Sequence, residues 1–355
     1  MKLDKKLTVS ASPHIRSAVT TTGIMLDVIL ALLPALGAAV IFFGPRVLEV
    51  IAVTVGTCLL SEYLARKAMK REGTLSDLSA VVTGLLLAYN LPVSIPLWMA
   101  AIGSVFAIVV VKQFFGGLGK NFVNPALMGR IVLMVSFPKA MSTWTDAFAW
   151  RTGVAAHTSA SYGAALHNSS IAAVTSASPL AHLNNLFSSG NLAGFTSAEG
   201  MPTLTQMFFG QHSGSLGEVC AVGLILGGLF LLIRGVISPA IPLTFVGTVA
   251  VFMLVAGKGN FTFTAYELMG GGLLLGAIFM ATDYATSPMN LKGKIIFGIG
   301  CGLITSIIRL YGSLPEGVSF SIIIMNILVP HIERMTTPKP FGTPKKVREK
   351  TAVKQ

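Results

Sequence analysis

The stretch FFGGLGKNFVNPALMGRIVL, Phe114–Leu133, is informative about the fold because a second stretch near the end of the chain resembles it. That counterpart is LYGSLPEGVSFSIIIMNILV, Leu310–Val329. Another pair lies upstream, with VVTGLLLAYNLP at Val81–Pro92 and MGGGLLLGAIFM at Met269–Met280. Two pairs in the same order predict an internal repeat. The alternative is a chance similarity between helices rich in glycine and leucine.

The composition indicates a membrane protein. Of the 355 residues, 53% are apolar and only 11% are charged, and the mean hydropathy is +0.73. An ordinary soluble domain is about 25% charged, so this chain has too few charges to cover a surface facing water. The 37 glycines fit the same class, because small residues let helices approach closely in lipid.

Apolar segments of spanning length recur along both halves, and we predict an all-α polytopic membrane protein with about ten transmembrane helices. The predicted spans cover residues 22–43, 47–65, 75–91, 95–112, 123–138, 217–234, 239–256, 265–282, 294–310 and 317–332. Five is an odd number, so the two halves must enter the membrane in opposite orientations. The repeat is therefore predicted to be inverted, an architecture common in transporters.

The 26 Lys and Arg residues divide unevenly between the two sides of the predicted membrane domain. With the N-terminus in the cytoplasm, 20 lie on the cytoplasmic side and 5 on the other, and Arg130 lies within a span. Cytoplasmic loops carry such an excess, so both termini are predicted to be cytoplasmic. The predicted regions are a cytoplasmic segment (1–21), a first repeat (22–138), an extracytoplasmic loop (139–216), a second repeat (217–332) and a basic cytoplasmic tail (333–355).

Four acidic residues occur within or at the ends of predicted spans. Asp27 lies one turn into the first span, Asp77 opens the third, Glu267 opens the eighth and Asp283 ends the eighth. Ionisable groups in a membrane are costly, so each is a candidate for an ion path. The alternative for residues near the ends of spans is solvation at the membrane interface.

Arg130 lies deeper, in the short fifth span after NFVNPALMG. We expect Asn124-Pro125 to begin that helix, because proline suits the first helical position. A short helix with its N-terminus inside the membrane would present free N–H groups to an anion, and Arg130 could add a positive charge there. Burial of an arginine also requires a partner.

The standard catalytic and nucleotide-binding motifs are missing from the sequence. It contains no G-x-G-x-x-G after a strand, no P-loop, no H-E-x-x-H and no G-x-S-x-G. Three well-separated cysteines and scattered histidines predict neither a metal site nor catalytic side chains. No aromatic residues are interleaved with the basic ones, which argues against nucleic-acid binding. Redox chemistry would therefore require a bound cofactor.

Several strings resemble one known family. SPHIRS, SAVVTGLLLAYNLP, FGGLGKNFVNPALMGRI, ATDYATSP, YGSLPEGVSFSIIIMNILVP and KPFG are similar to RnfD, the D subunit of the Rnf complex. That complex is a membrane ferredoxin:NAD oxidoreductase, and RnfD is homologous to the B subunit of the sodium-translocating NADH:quinone reductase. The resemblance covers nearly the whole chain. It implies ten helices in two inverted five-helix repeats, similar to urea and ammonium transporters.

The resemblance also implies a covalent cofactor in the long loop. Family members carry FMN as a phosphoester on the last residue of Asp-x-x-Ser/Thr-Gly-Ala-Thr, attached by a flavin transferase. In the segment AAVTSASPL this motif places Thr175 at the Ser/Thr position, Ala177 at the alanine and Ser178 at the acceptor. Ser178 is the preferred acceptor and Thr175 the alternative. A second, non-covalent flavin, riboflavin, is possible by the same resemblance, with no residues assigned.

This sequence departs from the motif at three positions. Ala172 stands in place of aspartate, Ser176 in place of glycine, and Ser178 in place of threonine. A serine hydroxyl forms the same ester, so the chemistry is retained. Loss of the acid would weaken recognition by the transferase.

The resemblance implies an electron-transfer subunit in a prokaryotic cytoplasmic (inner) membrane. Its partners would be the lipid bilayer and Rnf subunits A, B, C, E and G, with the flavin transferase needed for maturation. Electron flow between ferredoxin and NAD would be coupled to movement of Na⁺ or H⁺. The alternatives are a solute or ion permease of the inverted-repeat class without a redox cofactor, and a scaffold for other subunits.

Overall fold

The apolar segments form helices throughout the described chain. The computed structural model describes residues 19–151, 179–188, 201–218, 220–312 and 317–338, and no strand occurs within these ranges. The helices of six or more residues are α1 (Thr21–Phe43), α2 (Arg46–Ala68), α3 (Ser79–Tyr89), α4 (Leu97–Gln113), α5 (Pro125–Ser136), α6 (Pro179–Ser188), α7 (Leu204–Phe209), α8 (Ala221–Ile233), α9 (Ala240–Ala256), α10 (Phe261–Met269), α11 (Leu273–Met280), α12 (Leu291–Tyr311) and α13 (Val318–Thr336). The all-α prediction is confirmed for these residues.

Local capping residues set where several helices begin. Asn124 lies immediately before α5, and its side-chain oxygen accepts hydrogen bonds from the N–H groups of Ala126 and Leu127 at 3.0 and 3.3 Å. Pro125 occupies the first helical position, where its missing N–H costs nothing. The predicted start at Asn124-Pro125 is therefore confirmed. At α1, the N–H of Gly23 donates to the Thr20 hydroxyl at 3.1 Å.

The segment predicted as one continuous eighth span is broken. Helix α10 begins at Phe261, and α10 and α11 meet at an angle of 62°. Gly271 and Gly272 between them have φ angles of 59° and 39°, values that glycine adopts without the penalty of a side chain. The prediction of an uninterrupted helix over 265–282 is therefore wrong, and we call residues 270–272 the glycine break.

Four helices are long and apolar enough to cross a membrane: α1, α2, α12 and α13, and the bent pair α10–α11 counts as a fifth if it is one span. A bilayer core about 30 Å thick needs about 20 helical residues. The remaining apolar helices of the described chain are shorter: Ser79–Tyr89, Leu97–Gln113, Pro125–Ser136, Ala221–Ile233 and Ala240–Ala256. The chain is thus a membrane protein, and its ten spans in inverted repeats stay a prediction.

Small residues bring neighbouring helices close together. A Cβ atom placed on Gly227 of α8 would lie 2.0 Å from the carbonyl oxygen of Ala31 on α1. On α12, a Cβ on Gly298 would lie 2.0 Å from the Thr244 hydroxyl of α9. Close backbone approach of this kind is the usual basis of helix association in lipid. Larger side chains at these glycines would force the pairs apart.

Contacts between connections define two ends of the molecule. At one end the N–H of Phe148 donates to the carbonyl of Phe42 at 2.7 Å, and residues 201–218 lie on the same side. We call this the loop end. At the opposite end Arg234 pairs with Asp27 at 3.1 Å, and Arg71 donates to the carbonyl of Gln113 at 3.0 Å. We call this the termini end, because α1 begins there and α13 finishes there.

Candidate functional site

Arg130 lies where the two halves of the chain meet. Its side chain is only 2% exposed, and Nη1 donates to Asn90 Oδ1 and to Ser319 Oγ, both at 2.9 Å. Nearby, Asn124 Nδ2 donates to the carbonyl of Met280 at 3.3 Å. These bonds supply the partners that burial of a guanidinium requires. The predicted role of Arg130 in binding an anion stays a prediction.

Glu267 does not open a helix as predicted from the sequence. It lies in the last turn of α10, beside the glycine break, and is 2% exposed. Arg309 Nη1 donates to Glu267 Oε2 at 3.1 Å. Because Glu267 is buried and paired with Arg309, it is not solvated by water at the membrane interface, which was the alternative explanation for an acid near the end of a span. The helix begins at Phe261 because Asn260 caps it, accepting from the Phe263 N–H at 3.0 Å.

Arg309 also holds the glycine break itself. Arg309 lies near the end of the predicted span 294–310 and was not singled out from the sequence, yet it is only 2% exposed. Its Nη2 donates to the carbonyls of Gly270 and Gly271 at 3.0 and 2.6 Å. The last carbonyls of a helix lack partners within the helix. The guanidinium of Arg309 supplies hydrogen bonds to carbonyls at the C-terminal end of α10. One cation thus neutralises Glu267 and fixes the bend.

A second buried ionic cluster lies near the termini end, centred on Glu62 of α2. Lys112 Nζ donates to Glu62 Oε2 at 2.8 Å and to Ser79 Oγ at 2.6 Å. Gln113 Nε2 and Thr74 Oγ1 each donate to Glu62 Oε1 at 2.9 Å. We call this the Glu62 cluster. The sequence analysis missed it, because it singled out neither Glu62 nor Lys112.

The other three predicted acids lie near the termini end. Asp77 Oδ1 accepts from the Ser79 N–H at 2.9 Å and from the Ser79 hydroxyl, which joins it to the Glu62 cluster. Asp27 pairs with Arg234, and Asp283 accepts from the Thr286 hydroxyl at 3.1 Å. The structure therefore groups Asp77 with Glu62 and keeps Glu267 apart from them.

A small cavity adjoins the Glu62 cluster. It measures about 100 Å³, and its polar lining comes from Ser79, Thr83, Lys112, Asn121, Asn124, Thr282, Asp283 and Tyr284. We call it the inner cavity. The rest of its lining is mostly apolar. Two of its lining residues, Lys112 and Phe279, belong to π-helical stretches at the end of α4 and in α11, and such stretches often occur at functional sites.

A larger cavity opens at the loop end. It measures about 570 Å³, and we call it the outer cavity. Several polar side chains line it: Asp146, His182, Gln206, Gln211, His212 and Ser213. Pro179, the first residue of α6, lines it as well. Its volume lies in the range typical of cofactor and small-molecule sites.

His212 is a deeply buried polar side chain of the outer cavity that lacks a partner among the described residues. It is 5% exposed, and within the described chain neither of its ring nitrogens makes a hydrogen bond. Burial lowers the pKa of His212 below its ordinary 6.5, while the nearby Glu218 carboxylate acts in the opposite direction. The imidazole is therefore neutral at pH 7.

The chain around His212 is fixed by backbone hydrogen bonds to the end of α3. The N–H of Leu216 donates to the carbonyl of Leu91 at 3.0 Å, and that of Gly217 donates to the carbonyl of Tyr89 at 2.9 Å. A Cβ on Gly217 would lie 2.3 Å from the Cβ of Tyr89, so only glycine fits. His212 thus projects from an ordered segment rather than from a free loop.

The predicted flavin-attachment residues, Thr175, Ser176, Ala177 and Ser178, lie outside the described residues. The described chain resumes at Pro179, immediately after Ser178. On the glycine break, a Cβ at Gly271 would lie 2.0 Å from Leu180 Cδ1. Helix α6 is therefore packed against the same break that Arg309 holds.

Comparison with known proteins identifies the family. The model of the NQR2, RnfD, RnfE family matches residues 8–342. This chain belongs to that family. Its resemblance to RnfD, inferred above from short strings, is thereby confirmed.

Relatives within the family match nearly the whole chain. One, from Acetobacterium woodii, is 44% identical over 98% of both chains and is the D subunit of a Na⁺-translocating ferredoxin:NAD⁺ oxidoreductase complex. Another, from Clostridium ljungdahlii, is 41% identical over 95% of this chain and 96% of its own, and is the proton-translocating counterpart. A third, from Stutzerimonas stutzeri, is 37% identical over 92% and 93% and is the D subunit of an ion-translocating oxidoreductase complex.

This family member shows no metal-binding group in the part of the chain that is described. No three His, Cys, Asp or Glu side chains come together there in a way that could hold a metal ion. Four of the deeply buried charged side chains there form two separate ion pairs instead, Glu62–Lys112 and Glu267–Arg309.

Proposed function

We propose that this chain is the D subunit of an Rnf complex and transfers electrons as part of an ion-translocating ferredoxin:NAD⁺ oxidoreductase. The observation that carries the proposal is the 44% identity over 98% of the chain to the D subunit of such a complex. Rnf subunits A, B, C, E and G are its proposed partners, in a prokaryotic cytoplasmic membrane. The relatives include a subunit of a Na⁺-translocating complex and a subunit of a proton-translocating complex. The proposed coupling ion is therefore either Na⁺ or H⁺.

The cofactor we propose is FMN, joined through its phosphate to the hydroxyl of Ser178, with Thr175 as the alternative acceptor. The residues present fit this group. Pro179 follows the acceptor and lines a cavity of about 570 Å³, within the roughly 300–1,000 Å³ typical of cofactor sites. Bound FMN would supply the one- and two-electron chemistry that side chains lack.

The protein's own contribution is to position and surround the cofactor. Helix α6 begins at the residue after the acceptor and packs through Leu180 on the glycine break. Helix α7 is tied to α10, because the Tyr266 hydroxyl donates to the carbonyl of Pro202 at 2.7 Å. Gln206 and Gln211 add polar groups to the cavity wall. These contacts fix α6 and α7 at the loop end.

The proposed architecture is ten spans in two inverted repeats, with both termini in the cytoplasm. The grouping of the connections into two ends supports this arrangement. So does the distribution of charge, since Arg66, Lys112, Lys120 and Arg234 lie toward the termini end, where positive residues are expected to face the cytoplasm. The outer cavity would then be extracytoplasmic, where a flavin transferase attaches FMN.

Ion movement is proposed to involve the buried acids. Asp77 is joined through Ser79 to Lys112 and Glu62, and Ser79 and Lys112 line the inner cavity. Asp27, Asp283 and Glu267 are further candidates. Buried ionisable groups that reach a cavity are the usual markers of such paths. The inner cavity, on the cytoplasmic side, is the proposed entry.

The proposal is tested by in-gel flavin fluorescence. The chain would be expressed with its flavin transferase, purified and run on a denaturing gel beside Ser178→Ala and Thr175→Ala. We expect a fluorescent band that is lost only in Ser178→Ala. A dark wild-type band would contradict the flavin proposal and favour a permease of the inverted-repeat class or a scaffold for other subunits.

A further inference from the structure

The outer cavity contains a feature that the proposed function does not itself explain. His212 is nine-tenths buried and lines the cavity, and both of its ring nitrogens lack hydrogen-bond partners within the described residues. Leaving a buried polar group unsatisfied costs about 1–3 kcal/mol. A histidine held in such a position by an ordered segment indicates a ligand that completes its hydrogen bonds.

A neutral imidazole carries one N–H donor and one acceptor nitrogen. Burial holds the pKa of His212 below 6.5, so the ring enters the cavity without charge. It therefore suits a neutral polar edge, such as the carbonyl and imide groups of a flavin ring, better than a phosphate. Pro179 and His212 line the same cavity, so the residue after the proposed attachment site borders the space that this imidazole enters.

We propose that His212 donates a ring N–H to a carbonyl oxygen of the flavin ring of FMN attached at Ser178. This inference rests on the proposed function, and it makes His212 a residue that contacts the cofactor. Reduction of the ring adds negative charge to its carbonyl oxygens, and a hydrogen-bond donor stabilises that charge. His212 should therefore raise the reduction potential of the bound flavin.

The rival explanation is an ordered water. A cavity of this size and polarity has room for several waters, and one of them could satisfy His212 without any flavin contact. The two explanations differ in one respect. Only a direct contact makes the potential of the flavin depend on the donor at position 212.

The test measures attachment and potential separately in the full-length, flavinylated chain. His212→Leu removes the hydrogen-bond donor at position 212, and His212→Gln keeps a donor there. His331→Leu is the control, because His331 is exposed on α13, toward the termini end. In-gel fluorescence reports attachment, and reductive titration followed by absorbance gives the midpoint potential. If His212→Leu does not fold, His212→Phe serves as a planar substitute without a donor.

We expect all variants to keep the fluorescent band. We expect the two-electron midpoint potential of His212→Leu to fall by about 30 mV, which is a tenfold change in the redox equilibrium. His212→Gln should recover at least half of that change, and His331→Leu should match the wild type. A wild-type potential in His212→Leu, with the band present, would overturn the inference alone. A dark wild-type band would overturn the proposed function and this inference with it.

Discussion

The Arg309 guanidinium serves several buried acceptors at once. It pairs with Glu267 and donates to the carbonyls of Gly270 and Gly271, so one side chain neutralises a buried acid and closes a helix end. Removing one partner of a buried pair leaves an uncompensated charge, which is far more costly than removing both. The pair should therefore show strong coupling in a double-mutant cycle.

We expect Arg309→Met to lower stability by about 3–5 kcal/mol, the usual cost of breaking a buried ion pair. The double variant Arg309→Met with Glu267→Gln should recover part of this loss, because no charge is then left unpaired. Thermal unfolding of the purified protein in detergent measures both. Arg234→Gln is the control, since Arg234 is 58% exposed and should cost less than about 1 kcal/mol. Equal effects at Arg309 and Arg234 would contradict the assignment.

His212 should also give the fold a measurable pH dependence. Burial lowers its pKa from 6.5, so the unfolded chain takes up a proton at a higher pH than the folded chain does. The stabilisation is therefore fully present above pH 6.5 and is lost as the pH falls below it. Asp146, His182 and Glu218 also lie near the imidazole or its cavity. The contribution of His212 is therefore measured as the difference in pH dependence between the wild type and a variant at position 212.

The prediction is that His212→Gln loses less stability than the wild type between pH 7 and pH 5. Melting temperatures measured by tryptophan fluorescence across this range give the result. The same slope in both proteins would show that His212 takes up its proton equally in the folded and unfolded states.

Among the helices, the glycine break connects α10, α11, α12 and α6. Gly271 needs a positive φ of 59°, and a side chain there would meet Leu180 Cδ1 at 2.0 Å and Arg309 Nη2 at 3.0 Å. A methyl group would therefore push α6 away from the break and disturb the arginine. Both the bend and the docking of α6 depend on this one small residue.

Gly271→Ala is expected to lower the melting temperature more than Gly259→Ala. Gly259 also has a positive φ, 83°, but nothing lies within 4 Å of a Cβ built there. The two variants share the backbone strain of alanine in this region, so their difference measures the lost packing of α6. Equal melting temperatures would contradict the proposed contact between α6 and the break.

The elements were largely predictable from sequence, while their tertiary partners were not. Asn124-Pro125 indicated the start of α5 through local capping chemistry. The break at residues 270–272 was hidden, because the residues on both sides are apolar and continue the pattern of one span. Glu62, Lys112 and Arg309 were missed because a single sequence does not tell whether a polar residue near the end of a span faces water or another helix.

For the molecule as a whole, the excess of basic residues toward the termini end supports the proposed orientation. Lys258 is exposed at the loop end and Lys292 at the termini end. Because positive residues favour the cytoplasmic side, a probe that cannot cross the membrane should distinguish these two positions in whole cells. The native Cys58 and Cys301 are buried, which keeps their background labelling low.

We expect Lys258→Cys to react with an impermeant maleimide in intact cells and Lys292→Cys to react only after permeabilisation. The wild-type chain controls for labelling at Cys220, which is half-buried. The reverse pattern would place the outer cavity in the cytoplasm and exclude an extracytoplasmic flavin.

Covalent FMN at Ser178 is the feature on which the proposed redox role depends most. The most direct measurement is tandem mass spectrometry of the peptide that spans Thr175 to Leu183, from protein matured with its flavin transferase. We expect this peptide to gain the mass of one FMN less one water, with the fragment ions assigning the added mass to Ser178. An unmodified peptide, or FMN on a residue outside this segment, would show that Ser178 is not the attachment site.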